Sequence, residues 1–409
     1  MTNKKRIAFI TFGHWGSTIP LAKKLSEKGY AVDYYIETFG KVINSIEATD
    51  IHHVRTLGLL GKIDSNSIGC LKKYCKDVCF KYLRLVPPMV LHKYLGYISF
   101  LFNGLLIFVI SLLFRMRKYD SIILVGRYTA SHFIWYHRFL KSRIYTCMHE
   151  VCNHMNPDFR NPPHVLAYLF RKHHPIILHS DNCLNDIKKY LNCEDVNLHR
   201  INFGLFETWS YIPNDTTIQN TVGKDYILFI GGIDKYKGID VLYRTIQLLR
   251  NKRRNYKLVI AGRGSVPELN EIKSLDNVLV IGKFLTNEEF ANLIRYSRVV
   301  ICPYTTMSQS GIPQSAYVMG KPVITSSLPG FDGIVIDKIT GLICETGDHM
   351  SFADAIESIF TDKLLYESLC VNLKNVSEFI PSYDWDYISN QYIHLIENID
   401  EKKSKAEVR

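Results

Sequence analysis

The amino-acid sequence predicts an α/β protein built from two Rossmann-like domains. Two observations support this fold class: the chain length and the alternation of strand and helix patterns along both halves. The chain has 409 residues, whereas a single hydrophobic core rarely serves more than ~300 residues. Short apolar runs alternate with helical patterns, which is typical of parallel sheets covered by helices on both faces. With 47% apolar and 22% charged residues, the composition excludes disordered, collagen-like and multi-pass membrane proteins.

The first half of the chain predicts five buried strands. The first strand is the apolar run 7–12, which is followed by a glycine turn and a helix over 17–28 that ends at Gly29. The other strands are expected at residues 31–36, 121–125, 143–148 and 176–179. Strands connected through helices in this way form a doubly wound parallel sheet.

The second half repeats this pattern after a segment without periodicity. Residues 207–224 are rich in Asn, Thr, Asp and Pro, which predicts a linker. Strands are then expected at residues 226–230, 257–261, 278–281, 299–303 and 322–325. The second half therefore predicts another Rossmann-like domain.

The excess positive charge is confined to the first half. Residues 1–200 contain 28 Lys and Arg against 14 Asp and Glu, a net charge of +14, whereas the rest of the chain has 22 against 25, a net charge of −3. This asymmetry favours an anionic partner, which is a membrane surface, a phosphorylated substrate or a nucleic acid, over merely solvated faces. The first half lacks an aromatic–basic nucleic-acid motif, so we expect no nucleic-acid partner.

Residues 94–114 form an uncharged segment that needs a separate interpretation. A helix of these 21 residues would span roughly 30 Å, which is long enough for a bilayer. A single crossing would place the strands at 7–12 and 121–125 on opposite sides of the membrane, although both are expected in one sheet. Two interpretations remain open: a buried helix of the first domain, and a helix that contacts the membrane with one face.

The cysteines and the N-terminus predict a cytoplasmic protein. The ten cysteines are too dilute for a disulfide framework, and Cys70, Cys75 and Cys79 follow helical spacing, as buried or idle thiols would. The first apolar run is short and lacks a cleavage site, so it predicts a strand and not a signal peptide. The spacing between His149 and His154 matches no compact ligand set, so we expect no metal site.

A glycine turn in the second half predicts an anion-binding loop. Gly231 and Gly232 follow the strand at 226–230, and Lys237 stands beside the next helix. Ligands of α/β proteins bind at the carboxyl ends of the strands, where glycines let the backbone turn closely and a lysine neutralises a phosphate. An ordinary turn with a surface lysine is the alternative, and this loop alone leaves both open.

A second loop of this kind follows the strand at 299–303. A segment rich in Ser, Thr and Gly leads into a helix expected from Pro313 to Gly320, and backbone N–H groups near Ser310 and Gly311 would point toward the sheet edge. Two such loops in one domain suit a diphosphate. A capped helix in an ordinary α/β layer is the alternative.

Six short motifs of the second half occur in the order and spacing of one enzyme family. They are Gly-Gly-Ile-Asp-Lys-Tyr-Lys-Gly-Ile-Asp-Val-Leu at 231–242, Leu-Val-Ile-Ala-Gly-Arg-Gly at 258–264, Asn-Val-Leu-Val-Ile-Gly-Lys-Phe at 277–284, Gln-Ser-Gly-Ile-Pro at 309–313, Gly-Lys-Pro-Val-Ile at 320–324 and Thr-Gly-Leu-Ile-Cys-Glu-Thr-Gly-Asp at 340–348. With these motifs the chain resembles the retaining GT-B glycosyltransferases of family 4 over residues 224–360. The similarity is weaker in the first half, at Met148-His149-Glu150 and Asn202-Phe203-Gly204.

The resemblance implies a fold and an activity. The GT-B fold has two Rossmann-like domains that face each other across a cleft and a C-terminal helix that crosses back to the first domain. It implies an acceptor-binding domain over 1–206, a nucleotide-sugar-binding domain over 207–380, and a crossover helix with a charged tail over 381–409. The implied activity is transfer of a hexose with retention from a UDP- or GDP-sugar to a saccharide or polyprenyl-linked acceptor, with no required cofactor or metal. Peripheral contact of the basic first domain with the inner face of the cytoplasmic membrane stays open.

The resemblance also assigns site residues. Lys237 would neutralise the leaving diphosphate together with N–H groups near Ser310 and Gly311, and His149 would act near the reacting centre. The other positions implied in donor binding are Gly16, Gly232, Arg263, Gly264, Phe284, Gln309, Gln314 and Ser315. His14 and Glu150 are expected on the acceptor side.

Three positions depart from the family pattern. Gly232 stands where the family usually has an arginine, and Met307 and Ser315 stand where it has a pair of glutamates. Arg263 or Lys235 is the hypothetical replacement for the missing arginine. Because of these departures, a non-catalytic binding or regulatory subunit with the GT-B shape is the alternative function.

Overall fold

The computed structural model describes residues 4–46, 49, 52–56, 58–64, 69, 71–86, 93–126, 132–140, 143–148, 164–191, 197–307 and 310–407. The chain divides into two compact units. Unit 1 is Met1–Phe203 together with Trp385–Arg409, and unit 2 is Gly204–Asp384. The chain therefore leaves unit 1 after Phe203 and returns to it at Trp385.

Unit 1 alternates strands with helices. Its strands are β1 (Arg6–Thr11), β2 (Ala31–Thr38), β3 (Val42–Ser45), β4 (His52–Arg55), β5 (Leu60–Lys62), β6 (Cys79–Arg84), β7 (Ser121–Gly126), β8 (Arg143–Met148), β9 (Ile176–Leu178) and β10 (Leu198–Arg200). Its helices before Phe203 are α1 (Trp15–Glu27), α2 (Leu71–Tyr74), α3 (Lys93–Arg117), α4 (Phe133–Phe139), α5 (His164–Arg171) and α6 (Asp181–Leu191).

Among the described residues, eight strands of unit 1 form one sheet in the order β10-β9-β8-β7-β1-β2-β6-β5. Its neighbouring strands are parallel except β5 and β6, and β3 and β4 form a separate antiparallel pair. Strand β1 lies between β2 and β7, where Ile7 pairs with both Val32 and Ser121. The order of strands reverses at β1, and open α/β sheets bind ligands at the carboxyl side of such a reversal.

The continuous apolar sequence of β1 follows from its burial on both faces. Ile7 and Phe9 belong to one hydrophobic core, and Ala8 and Ile10 belong to the core on the opposite face of the sheet. Successive side chains of a strand point to opposite faces, so a central strand covered on both sides needs an apolar residue at every position.

Unit 2 contains a second parallel sheet. Its strands are β11 (Tyr226–Ile230), β12 (Leu258–Ala261), β13 (Val278–Ile281), β14 (Ser297–Cys302), β15 (Val323–Ser326) and β16 (Gly341–Cys344), in the sheet order β13-β12-β11-β14-β15-β16. Its helices are α7 (Thr216–Val222), α8 (Ile239–Asn251), α9 (Glu268–Lys273), α10 (Asn287–Tyr296), α11 (Ile312–Val318), α12 (His349–Thr361), α13 (Lys363–Lys374) and α14 (Val376–Phe379). Short 3-10 turns lie at Glu207–Tyr211, Lys235–Lys237, Pro329–Phe331 and Pro381–Tyr383.

The linker predicted at residues 207–224 is wrong. This segment contains a 3-10 turn and helix α7, and it is part of unit 2. Trp209 is buried and stacks on Phe290 with ring centroids 4.5 Å apart. The Asn, Asp and Thr residues that indicated a linker serve as caps: the Asp215 side chain accepts a hydrogen bond from the Thr217 N–H at the start of α7.

The helical spacing assumed for Cys70, Cys75 and Cys79 is also wrong for the two cysteines that the structure describes. Cys75 lies just after the short helix α2, and Cys79 begins strand β6. Cys70 lies outside the described residues. A period of four to five residues over three cysteines is too short a pattern to separate a helix from a helix–turn–strand transition.

The C-terminal helix α15 (Trp385–Glu407) belongs to unit 1 and packs against α1. Trp385, Ile388 and Tyr392 are buried in the core on that face of the sheet. Three ionic contacts accompany this packing: Asp386 lies 2.9 Å from Lys24 and 3.3 Å from Lys28, and Glu397 lies 3.4 Å from Lys5. All three pairs are partly exposed to solvent, so the buried aromatic residues contribute most of the attachment.

We expect Trp385→Ala to destabilise unit 1, because it removes a buried indole from the core. The free energy of unfolding should fall by about 3–5 kcal/mol, the range found for aromatic-to-alanine changes in cores. Urea unfolding followed by circular dichroism measures the change. Tyr387→Ala on the same helix is the matched control, since Tyr387 is half exposed. Equal stability of the two variants would show that α15 does not anchor through its buried face.

Candidate functional site

The loops that follow β11, β12 and β14 approach one another so closely that they require glycine. A side chain added at Gly262 would meet the Gly231 carbonyl oxygen at 1.7 Å, and one added at Gly264 would meet the Ile233 oxygen at 2.0 Å. Gly262 and Gly264 also have φ values of 149° and 140°, where L side chains are strained. Because neighbouring parallel strands end at the same edge of the sheet, these loops form one backbone-lined surface in unit 2.

Gly238 fixes the position of the turn that carries Lys237. A side chain there would overlap the Pro303 oxygen at 1.8 Å, so the turn after β11 lies directly against the loop after β14. The Thr305 N–H donates to the Tyr236 oxygen at 2.9 Å across the same contact. At its other end, the Asp234 side chain caps the turn by accepting from the Lys235 N–H at 2.7 Å.

Lys237 lies over the buried ring of Tyr304. Its ammonium nitrogen is 3.7 Å from the centre of the Tyr304 ring and 5.0 Å from that of Tyr236. The face of an aromatic ring attracts a cation without neutralising its formal charge. Burial raises the pKa of the Tyr304 phenol well above its ordinary value and that of the nearby Cys302 thiol to about 11. Both groups therefore stay neutral at physiological pH, and neither supplies an anion to Lys237.

The Tyr304 hydroxyl connects this lysine to the loop before α11. It lies beside the side chains of Ser310 and Cys302, both of which affect its pKa. Ser310 in turn accepts from the Ile312 N–H at 3.3 Å, and Gly311 precedes the helix with its Cα against the Phe206 ring, which an added side chain would meet at 2.6 Å. The structure thus brings Lys237, Ser310 and Gly311 together around one buried tyrosine, which the sequence reasoning missed.

The other residues predicted to bind the donor do not all lie beside Lys237. Gly232 and Arg263 are exposed at the same sheet edge, and no atom lies within 4 Å of a side chain added at Gly232. Phe284 follows β13, two strands from β11, and is 80% exposed. Gln309 lies outside the described residues.

Gln314 and Ser315 are buried in helix α11. The Ser315 hydroxyl donates to the Gly311 oxygen at 2.9 Å, so its proton is used within the helix. The side-chain oxygen of Gln314 has no hydrogen-bond partner among the described residues, although Gln314 is 1% exposed. A buried amide oxygen without a partner is costly, so this atom retains the capacity to accept a hydrogen bond.

In unit 1 the structure describes only part of the predicted site. His149 and Glu150 lie outside the described residues, just beyond the end of β8. Gly16 is buried in the first turn of α1, and His14 precedes this helix with a left-handed φ of 56° at the carboxyl end of β1. His14 therefore lies at the strand reversal of the sheet, where ligands of such folds bind.

Two buried polar residues of unit 1 were not predicted as site residues. His179 follows β9, stacks on Phe203, and its Nδ1–H donates to the Ile201 oxygen at 2.7 Å. Burial, with smaller contributions from the charges of His14 and Arg200, lowers the pKa of His179 to about 4. Glu37, near the end of β2, is buried against His132 at 2.7 Å and Tyr136 at 2.8 Å. Glu37 is 95 residues from His132 and 99 residues from Tyr136 along the chain, so the sequence contained no local signal for this cluster.

The low pKa of His179 predicts an acid-sensitive unit 1. The unfolded chain binds a proton at this side chain near pH 6.5, whereas the folded chain binds it only near pH 4, so stability is lost as pH falls through this window. The His179 contribution should amount to roughly 3 kcal/mol. Urea unfolding between pH 7 and pH 4 should show a smaller loss for His179→Gln than for the unmodified protein. His394→Gln, an exposed histidine, is the control, and an unchanged pH profile in His179→Gln would contradict the assignment.

The second half of the chain is similar to known glycosyltransferases. Residues 224–362 match the family model described as "Glycosyl transferases group 1". The chain is 28% identical over 176 residues to the capsular polysaccharide biosynthesis glycosyltransferase CapM of Staphylococcus aureus, which covers 40% of this chain and 44% of that protein. It is 25% identical over 186 residues to the phosphatidyl-myo-inositol mannosyltransferase of Mycobacterium leprae, which covers 44% and 49%. The chain spans about a third to a half of the length of the curated relatives that it matches.

Solved structures extend the similarity to the whole fold. The Anabaena protein Alr3699/HepE, solved in complex with UDP and glucose, superposes with a TM-score of 0.62 at 12% identity over 96% of this chain and all of that chain. Such neighbours confirm the predicted GT-B fold, with a Rossmann-like parallel sheet in each unit. The family-model match confirms a group 1 glycosyltransferase domain in the second half.

Proposed function

We propose that this protein is a retaining glycosyltransferase that moves a hexose from a nucleotide-diphosphate sugar to a saccharide or lipid-linked acceptor. The observation that carries the proposal is the Lys237 ammonium, held 3.7 Å from the centre of the buried Tyr304 ring at the carboxyl edge of the unit 2 sheet. This site lies within the segment that matches the group 1 model. The names of the relatives CapM and phosphatidyl-myo-inositol mannosyltransferase support saccharide and lipid-linked acceptors, in surface polysaccharide or glycoconjugate synthesis.

A UDP-sugar is the first donor to test, because Alr3699/HepE was solved with UDP and glucose; a GDP-sugar is the second. The proposed reaction needs no metal and no further cofactor. We place the protein in the cytoplasm, where the donor would be available. The seven cysteines that the structure describes are free thiols, which suits a reducing compartment.

In the proposed reaction the bond between the sugar C1 and the diphosphate oxygen breaks, and C1 bonds to the acceptor oxygen on the same face. The acceptor proton passes to an oxygen of the leaving diphosphate. Negative charge develops on this diphosphate, so a fixed positive charge beside it lowers the barrier. Lys237 supplies that charge, and the backbone N–H groups at Ser310 and Gly311 donate hydrogen bonds to the same oxygens.

Tyr304 is the positioning residue of this arrangement. Its ring limits where the lysine ammonium lies, and its hydroxyl lies beside Ser310 of the second loop. One buried side chain thus keeps both parts of the diphosphate site in register before the donor arrives, which reduces the reorganisation that the reaction needs.

Lys237→Met should abolish most of the transferase activity while the fold stays intact. Methionine retains much of the apolar contact with Tyr304 and loses only the charge, so we expect kcat to fall by about 10²–10³-fold, as for loss of one transition-state contact. Release of UDP from a panel of UDP-sugars in the presence of membrane extract measures turnover. Lys273→Met, an exposed lysine of α9, is the matched control. Turnover of Lys237→Met equal to that of the control would refute the role of Lys237.

Gly232→Arg should strengthen donor binding. The position is open, and Gly232 has no left-handed φ, so an arginine fits without backbone strain. A second cation beside the diphosphate should lower the donor KM roughly three- to tenfold. Gly232→Glu reverses the charge at the same position and should raise the KM. If both variants change the donor KM in the same direction, Gly232 does not face the diphosphate.

Two observations favour a non-catalytic binding subunit as the second candidate. Met307, at a position where the family has a glutamate, is partly buried and packs against Gly330 at the edge of the core of unit 2. Ser315, at the other such position, is buried with its hydroxyl bonded to the helix backbone. Calorimetric titration with UDP- and GDP-sugars, combined with the turnover assay, separates the candidates, since a regulatory subunit would show no turnover with any donor.

A further inference from the structure

Helix α3 exposes a continuous apolar face. Of the 19 large hydrophobic residues that are exposed in the described part of the chain, ten lie on this helix. They are Tyr97, Ile98, Leu101, Phe102, Leu105, Phe108, Val109, Leu112, Leu113 and Met116. At 100° per residue these positions occupy an arc of about 160° along ~30 Å of helix. Such a patch is far larger than scattered surface apolar residues would produce.

The opposite face of α3 is fixed to the sheet of unit 1. Ile107, Ile110 and Phe114 are buried in the core. The Asn103 side chain accepts from the Val86 N–H and donates to the Val86 oxygen, both at 2.9 Å. The helix is thus held by apolar packing and by a two-bond amide contact.

Two further contacts hold α3 along its length. At Gly104 the helix lies against the Trp135 ring, which an added side chain would meet at 2.8 Å, and the Trp135 indole N–H donates to the Phe100 oxygen at 3.0 Å. At the C-terminal end, Arg117 donates to the Tyr35 hydroxyl at 2.9 Å, beside the buried pair of Asp33 and Lys81 at 2.6 Å.

These contacts show whether helix α3 can span a membrane or be fully buried, the two arrangements that its apolar sequence would allow. The length and composition of α3 alone would permit a membrane span. A spanning helix would have to leave the core, expose Phe114 and break the contacts of Asn103 and Arg117. A fully buried helix is excluded as well, because ten of its large apolar side chains are exposed.

The charges around α3 indicate which surface would cover this face. The helix contains no acidic residue; the exposed Arg115 lies in its last turn, and the exposed Lys118 follows it directly. Arg138 of α4, also exposed, lies over the Trp135 ring beside the helix. An apolar face with a basic rim is complementary to anionic lipid headgroups above an acyl layer, whereas a second copy would bring the same basic residues.

We propose that α3 is an interfacial helix that docks unit 1 onto an anionic membrane surface. The helix lies in the plane of the bilayer, with its exposed apolar face at the boundary between headgroups and acyl chains and with Arg115, Lys118 and Arg138 among the headgroups. This surface would bring the proposed enzyme to a lipid-linked acceptor, but it does not depend on the donor chemistry of unit 2.

Co-sedimentation of the full-length protein with vesicles tests this docking. The protein should bind vesicles of equal parts phosphatidylcholine and phosphatidylglycerol, bind pure phosphatidylcholine less, and be released by an alkaline carbonate wash. The double variant Leu101→Glu/Leu105→Glu should bind the anionic vesicles at least about tenfold more weakly, because two carboxylates would enter the apolar layer and face anionic lipids. Unchanged melting and unchanged calorimetric binding of the donor by this variant would show that only docking is lost.

Leu364→Glu/Val371→Glu is the matched control, since these residues are 80% and 60% exposed on helix α13 of unit 2. It should bind vesicles like the unmodified protein. The proposal is overturned if the unmodified protein stays in the supernatant, if the α3 variant binds as strongly as the control, or if the protein resists carbonate. A dimer in ultracentrifugation that the α3 variant dissociates, without vesicle binding, would instead make this face an interface between two copies.

Discussion

The contact between Lys237 and Tyr304 is the interaction on which the functional account depends. A lysine ammonium is strongly hydrated and mobile, so a loop lysine by itself is a poor catalytic charge. Here the buried ring of Tyr304 limits the position of the ammonium and does not itself neutralise the formal charge. The hydroxyl of the same tyrosine lies beside Ser310, so a single residue is next to both loops that would hold a diphosphate.

This contact in turn requires the glycines of the neighbouring loops. Gly238 lets the turn that carries Lys237 lie against Pro303, and Tyr304 is the next residue along that loop. Any side chain at Gly238 would move the turn and with it the lysine. The glycine positions therefore set the geometry of the site in unit 2.

In unit 1, one face of helix α3 packs on the sheet, and the other face is exposed and apolar.

Sequence reasoning predicted the regular parts of the fold because their signals are local. Apolar runs of four to six residues indicated the strands β11 to β15 to within two residues, and the motif order indicated the GT-B fold. The segment at 207–224 was misread because caps and linkers use the same polar residues. Strand β16 was missed because Gly341–Cys344 begins with a glycine and contains only one β-branched residue, so its β pattern is weak. Tyr304 and the pair of Glu37 and His132 carried no sequence signal, since their roles arise only from contacts between distant segments. The sequence also could not say which face of α3 is buried, because residues on both faces are apolar.

A crystal structure of the protein with UDP bound tests the central claim most directly. The account predicts diphosphate oxygens within about 3 Å of the Lys237 ammonium, at hydrogen-bond distance from the N–H groups of Ser310 or Gly311, with the lysine still over the Tyr304 ring. A nucleotide bound elsewhere on unit 2, or a diphosphate that makes no contact with Lys237, would contradict it.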